Sequence, residues 1–277
     1  MSDARGADDL RQGTWEFALA DAEGSLLPRA GQPATDYLVD PYPGERPSGS
    51  FVIDRAGLCW PVKADADTPC GWVVETGHGL VCLDEWLTCQ GAASLGERVP
   101  LLGYGSNASP GKVLANGTPL PSVHLACAVE GLAAVWCAGQ TAAGRIPVTL
   151  TEAPGHAEEA VIMMCDPVEL AVLDRIEGRL GRWYDLVTLS HGRVVLSDGA
   201  QVLRPIVYVG GRSERFPMLL GGNAVRRSDV DQAGARLLFS LPHEVEVPPT
   251  LGEVVPRGTY PPPCGLFPWR VHSATRW

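Results

Sequence analysis

The sequence predicts an α+β fold, or a closed β-barrel with a few helices, rather than a doubly wound parallel sheet. Three observations carry this. Strand-like runs and helical stretches do not alternate in the βαβ manner. Most apolar runs are short and are punctuated by Gly, Pro and Asp. Helical signals gather in two stretches, after Asp166 and from Ser228. With 277 residues, 45% of them apolar and 19% charged, the chain can bury one large core or two small ones.

Along the chain, Arg11 to Leu19 reads as a short strand or helix around Trp15 and Phe17. Tyr37 to Pro47 is rich in proline and tyrosine and reads as loop. From Gly49 to Leu87, runs at Phe51–Ile53, Cys59–Val62, Gly71–Val74 and Leu80–Leu83 predict a small sheet. Trp60, Trp72 and Trp86 are expected in its core. Residues 1–98 together read as a β-rich N-terminal extension of unknown role. Val99–Gly103 predicts a strand, Leu125–Trp136 one or two, and Ala160–Cys165 another. Asp166-Pro167-Val168-Glu169 combines an N-cap, Pro at the first helical position and a reciprocal Glu. The helix it starts is expected to stop at Gly178. Tyr184–Ser190, Arg193–Ser197 and Gln201–Val209, separated by His191-Gly192 and Asp198-Gly199, predict two tight hairpins. Ser228–Leu238 reads as a helix. Residues 246–277 form a proline-rich tail expected to lie extended over the surface.

The formal charge of −10 argues against nucleic acid and anionic membranes as partners. No apolar run has the length of a membrane span, and the polar start Met1-Ser2-Asp3-Ala4-Arg5 does not read as a signal peptide. A cytoplasmic protein is expected. The eight cysteines contain no C-x-x-C, and none pairs with a histidine at ligand spacing, so buried thiols are expected rather than disulfides or a metal site.

Leu101-Leu102-Gly103-Tyr104-Gly105-Ser106-Asn107-Ala108 fits the G-x-G-x-x-A of a dinucleotide-binding turn. That turn requires a helix starting at the loop. Here two glycines and three prolines interrupt residues 109–121, and at most one helical turn fits before Asn116-Gly117. A nucleophile elbow fails because Ser106 is followed by Asn107-Ala108. A P-loop fails because Gly111-Lys112 lacks the rest of the motif and the Ser or Thr after the lysine. There remains a glycine-bearing turn at a strand end. It is either a plain β-turn or an anion-binding turn whose N–H groups converge, with Ser106 and Asn107 as added donors.

Leu170, Leu173 and Glu177 share one helix face at spacing i, i+3, i+7. An apolar stripe therefore ends in a carboxylate at the helix C-terminus, where the dipole and burial both oppose ionisation. Such a group suits proton transfer near neutral pH. The alternative is a Glu177 that turns outward to Arg175, Arg179 or water.

Tyr104-Gly105-Ser106-Asn107 after a strand, then Leu173-Asp174-x-x-Glu177-Gly178, Tyr184, Tyr208 and Pro217-Met218-Leu219-Leu220-Gly221, resembles the γ-glutamylcyclotransferase family over residues 99–241. The resemblance marks residues 99–245 as the family-like domain and implies a small mixed β-barrel with peripheral helices. The implied reaction is cyclisation of a γ-glutamyl amine or peptide to 5-oxoproline with release of the amine. The resemblance makes Glu177 the general acid/base. It places Tyr104, Gly105, Ser106 and Asn107 around the glutamyl group and Tyr184 and Tyr208 along the cavity. It implies a small γ-glutamyl substrate and neither cofactor nor metal.

Two departures stand out. The family core is much shorter than this chain, so both flanking segments are additions. Ala108 and Ser109-Pro110 stand where bulkier apolar residues are commoner. A non-catalytic binding or regulatory module on the same scaffold is the alternative reading, and hydrolysis or transfer at a related amide a third. His124, Glu158-Glu159 beside His156, Arg226-Arg227 and Asp174 read as structural or solvated groups.

Overall fold

The computed structural model describes residues 29–266 and 269–272. The element expected at Arg11–Leu19 lies outside them. The fold is mixed α+β, with one large sheet and few helices.

Two long strands, Ser122–Trp136 and Val148–Cys165, pair antiparallel at its centre. Their register shifts between Glu130 and Leu132, where Gly131 adopts a φ of +79°. Such a bulge bends a ladder and raises its twist. The sequence marked only Ala160–Cys165 of the second strand. Residues 151–159 are largely polar and interrupted by Pro154-Gly155, so pairing to the apolar partner strand, rather than local pattern, makes them a strand. Glu158 is drawn in with them. It was expected on a solvated loop, yet its carboxylate accepts from Ala134 N at 3.2 Å and faces Arg227 at 3.6 Å. Arg227, expected to face water, is thereby mostly covered, whereas Arg226 is exposed as its polarity suggests.

From this pair the sheet grows both ways. On one side come Val99–Gly103, Ile206–Gly210, Tyr184–Leu189 and Gly252–Val254 in spatial order. Val99–Gly103 and Ile206–Gly210 form the parallel contact, and every other pairing among the described residues is antiparallel. On the other side, Ser122–Trp136 meets Ser50–Ile53 through Phe51↔His124 and Arg193–Leu196 through Val195↔Ala128. The meander Leu58–Ala64, Trp72–Thr76, Gly79–Cys82 continues from the first, and Ala200–Val202 with Arg270–His272 from the second. Trp72 and Trp86 are buried as expected. Trp60 lies half-buried and donates from its indole to Asp54 Oδ2 at 2.9 Å.

Of the two expected hairpins, Asp198-Gly199 forms one, with Val194 opposite Val202. His191-Gly192 does not. Tyr184–Leu189 pairs with Ile206–Gly210 instead, while Arg193–Leu196 crosses to the long strand. Gly192, at φ +71°, backs so closely on Glu130 O that a Cβ would lie 2.7 Å away, and the turn is held at the bulge of the long strand. Turn residues signal a reversal without saying which strands will meet. The single run expected over Gln201–Val209 is also divided, because Arg204 takes φ +49° and Pro205 has no N–H to give a ladder.

The helix Pro167–Ile176 starts as its sequence demands. Asp166 accepts from Val168 N and Glu169 N, and Glu169 Oε2 accepts from Asp166 N at 2.8 Å. Leu170 and Leu173 face the core. Glu169 also reaches Arg98 Nη1 at 2.7 Å, an ion pair buried on both sides. The second helix is Gln232–Phe239. Asp231 caps it through Gly234 N, so it starts later than Ser228. The described part of the tail is mostly irregular, turns at 257–258 and at Cys264–Leu266, and is stitched to the sheet by Gly252–Val254 and Arg270–His272. Among the described residues no helix is long and apolar enough to cross a membrane.

Candidate active site

A cavity of about 370 Å³ opens where Val99–Gly103 runs out and where the helix Pro167–Ile176 ends. Tyr104, Gly105, Ser106, Asn107, Glu177, Tyr184 and Tyr208 all line it. The residues singled out in sequence therefore face one space.

The loop is a single 3₁₀ turn, Ser106–Ala108, followed by the six-residue helix Pro110–Ala115. The short helix is what the glycines and prolines of this stretch permit. Gly105 does not use the left-handed region, since its φ is −118°. It provides close approach instead: a Cβ there would lie 3.1 Å from the Tyr42 hydroxyl and 3.3 Å from Val148 Cγ2. Among the described residues, the N–H groups of Gly105, Ser106 and Asn107 have no backbone acceptor. They are left to a ligand or to water.

Glu177 is the C-cap residue of its helix, and Gly178 follows at φ +62°. A side chain at Gly178 would collide with Trp183 Cδ1, 2.7 Å from an added Cβ. The glycine thus turns the chain sharply and lets Trp183 form the adjacent wall. Asn107 Nδ2 donates to Glu177 Oε1 at 2.7 Å. Glu177 keeps some contact with water through the cavity mouth, but the surrounding protein desolvates its carboxyl group and raises its pKa. The Asn107 hydrogen bond and the positive charge of Arg215 oppose that rise. Burial therefore dominates, and the outward-turned alternative is not what the chain adopts.

The tyrosines supply walls rather than free hydroxyls. Tyr104 donates to Tyr208 O at 2.6 Å, Tyr184 to Val148 O at 2.8 Å, and Tyr208 to Asp174 Oδ1 at 2.7 Å. Burial raises the pKa of all three. Asp174 also receives Tyr260 and Arg179, at 2.9 and 2.8 Å, so its carboxylate ties the tail to the helix. His124 is neutral in the core, its pKa lowered to about 3 by burial, and stacks on Phe51 with centroids 4.5 Å apart.

Sequence reasoning missed several parts of the cavity besides Trp183. Tyr42, from the proline-rich segment read as loop, lies with its hydroxyl against Gly105. Its segment is fastened by Asp40, which takes Arg145 Nε and Nη2 at 2.9 and 2.7 Å. Residues 140–142 form part of the rim. Arg215 reaches in from the turn Ser213–Arg215. That turn fits because Gly139 and Gly210 carry no side chains. A Cβ on Gly139 would lie 2.5 Å from Glu214 Cβ, and one on Gly210 would overlap Arg215 O. Both glycines were visible in the sequence, but their tight contacts were not. Among the described residues no three His, Cys, Asp or Glu side chains gather as a set able to hold a metal ion.

No family model and no curated protein matches the chain. Among solved structures, it is similar to one described as a gamma-glutamyl cyclotransferase, with 18% identity and a TM-score of 0.36 over 44% of this chain and 71% of that one. It is similar to an uncharacterized protein from Homo sapiens, with 17% identity and a TM-score of 0.35 over 44% of this chain and 71% of that one. YkqA from Bacillus subtilis has 15% identity and a TM-score of 0.34 over 60% of this chain and 73% of that one.

Proposed function

We propose that the protein is a cyclotransferase that converts a γ-glutamyl amine or peptide to 5-oxoproline and the free amine. The observation that carries this reading is the meeting of Glu177 with the Tyr104–Asn107 loop across one cavity, at the 2.7 Å contact between Asn107 and the carboxylate. The order of motifs resembling the γ-glutamylcyclotransferase family also supports it.

The chemistry needs a group that takes a proton and returns it. The substrate's α-ammonium must lose a proton before its nitrogen attacks the γ-carbonyl carbon. The C–N bond to the leaving amine then breaks; that nitrogen must gain a proton, and the ring nitrogen must lose its second one. One carboxylate placed between the two nitrogens serves both steps. Asn107 engages Oε1 of Glu177 and leaves Oε2 for the proton. A raised pKa brings the carboxyl closer to the amines it exchanges with. The N–H groups of Gly105 and Ser106 are suited to the α-carboxylate or to the oxyanion formed at the γ-carbon. Ring closure is intramolecular, so a cavity that holds the glutamyl chain folded contributes much of the acceleration.

The test is a mass-spectrometric screen of γ-glutamyl compounds for 5-oxoproline and free amine. The wild type should release both from at least one compound, and Glu177→Gln should release neither while melting cooperatively. Undiminished turnover by Glu177→Gln would reject the mechanism. Binding without product by the wild type would favour a binding module, and free glutamate in place of 5-oxoproline a hydrolase.

A further inference from the structure

Among the described residues, three arginines are buried, Arg98, Arg179 and Arg215, at 1%, 2% and 6% exposure. A guanidinium taken out of water needs a counter-charge or a full set of acceptors. Arg98 has Glu169 at 2.7 Å, and Arg179 has Asp174 at 2.8 Å. Arg215 has neither arrangement. Its Nη1 donates to Glu214 O at 2.9 Å, and no carboxylate among the described residues lies within ion-pair distance, although Glu177 feels its charge across the cavity. Glu214, its neighbour in sequence, is held by Arg212 through both oxygens at 2.9 and 3.0 Å.

The position of Arg215 is nonetheless fixed. Its guanidinium carbon lies 4.4 Å from the centroid of the Trp183 ring and 5.9 Å from that of Tyr184. Cys137 Sγ contacts its carbonyl oxygen at 3.3 Å, and Gly139 and Gly210 admit its turn at close range. The side chain lines the same cavity as Glu177. A stacked, ordered guanidinium with donors unspent keeps its two-pronged geometry for a planar anion at little entropic cost.

We infer that Arg215 binds a carboxylate of the substrate, and so selects γ-glutamyl compounds by a negative group at that end of the cavity. The inference rests on the cavity being the substrate site proposed above. The carboxylate belongs either to the glutamyl α-carbon or to the leaving amine, as in a γ-glutamyl amino acid. The chemistry of recognition is the same for both.

The experiment uses full-length protein carrying Glu177→Gln, so that ligands bind without turnover, with and without Arg215→Met. Methionine keeps an unbranched stem over Trp183 and removes the charge. Titration calorimetry is run with γ-glutamylglycine, which has two carboxylates, and with γ-glutamylmethylamide, which has only the α-carboxylate. Arg215→Met should weaken γ-glutamylglycine at least tenfold. An equal loss for both ligands assigns Arg215 to the α-carboxylate, and a loss confined to γ-glutamylglycine assigns it to the leaving amine. Unchanged affinity for both overturns the inference, as does the absence of binding by the protein that retains Arg215. If Arg215→Met does not fold, Arg215→Lys keeps the charge and loses the fork. It should bind several-fold more weakly, and parental affinity would overturn the inference. Binding that depends on Arg215 in a protein whose wild type never forms 5-oxoproline would leave this inference standing and remove the proposed reaction.

Discussion

Replacing Glu177 by Gln should stabilise the protein, and by an amount that grows with pH. The amide keeps the size of the side chain and an oxygen for Asn107 Nδ2, which lies 2.7 Å from Glu177 Oε1 in the wild type, so the main change is the removal of a negative charge. That charge is costly because burial raises the folded pKa above the unfolded value, and Asn107 and Arg215 recover only part of the loss. The sign follows from proton binding. Below the unfolded pKa the carboxyl is protonated in both states, and wild type and variant should be equally stable. Above it the unfolded chain releases its proton more readily than the folded one, and the wild type loses stability until pH passes the folded pKa. The slope over that window is about 1.4 kcal/mol per pH unit for a single site. Water at the cavity mouth screens part of the penalty, and the difference should level off once pH passes the folded pKa. The slope corresponds to roughly 3–6 °C in melting temperature per pH unit for a chain of this size. Thermal melts of both proteins every half unit from pH 4 to pH 9 would read it. A melting-temperature difference that stays flat across the range, or a wild type that gains on the variant as pH rises, would refute the argument.

Asn107→Ala removes the donor that favours ionised Glu177, so the acidic limb of the kcat/KM profile for 5-oxoproline release should move up by about one pH unit. A limb that stays in place would mean that another group sets it. Gly178→Ala places a side chain at φ +62° and 2.7 Å from Trp183 Cδ1, so it should cost at least about 1–2 kcal/mol in urea unfolding and displace the acid beside it. Arg98→Met leaves Glu169 buried without its cation and should cost about 3–5 kcal/mol. Adding Glu169→Gln should return part of that, because an amide still accepts from Asp166 N without carrying a charge, and strictly additive losses would contradict this account.

What the sequence revealed and what it concealed separate by range of interaction. The helix start at Asp166, its end at Gly178 and the placing of Glu177 on the Leu170–Leu173 face are decided within about two turns, and their chemistry is written in adjacent residues. That the helix after the loop is short was legible for the same reason, although at six residues it exceeds the single turn expected. Strand pairing is not local. His191-Gly192 reverses the chain, but Arg193–Leu196 leaves its neighbour because the long strand Ser122–Trp136 offers an edge at residues 127–130, just before its bulge. The cavity obeys the same division. Its floor, from Tyr104 to Asn107 and at Glu177, lies in motifs whose order is recognisable. Its remaining walls come from segments with no pattern of their own. Tyr42 matters because Asp40 is fastened to Arg145, far along the chain. Arg215 matters because two glycines on different segments leave room for its turn. A lone tyrosine between prolines and an arginine in Arg212-Ser213-Glu214-Arg215 look like ordinary loop residues until the fold gives one a cavity and denies the other a partner. Reading the acid was therefore a problem of helix geometry, whereas finding the cation required an account of every buried charge.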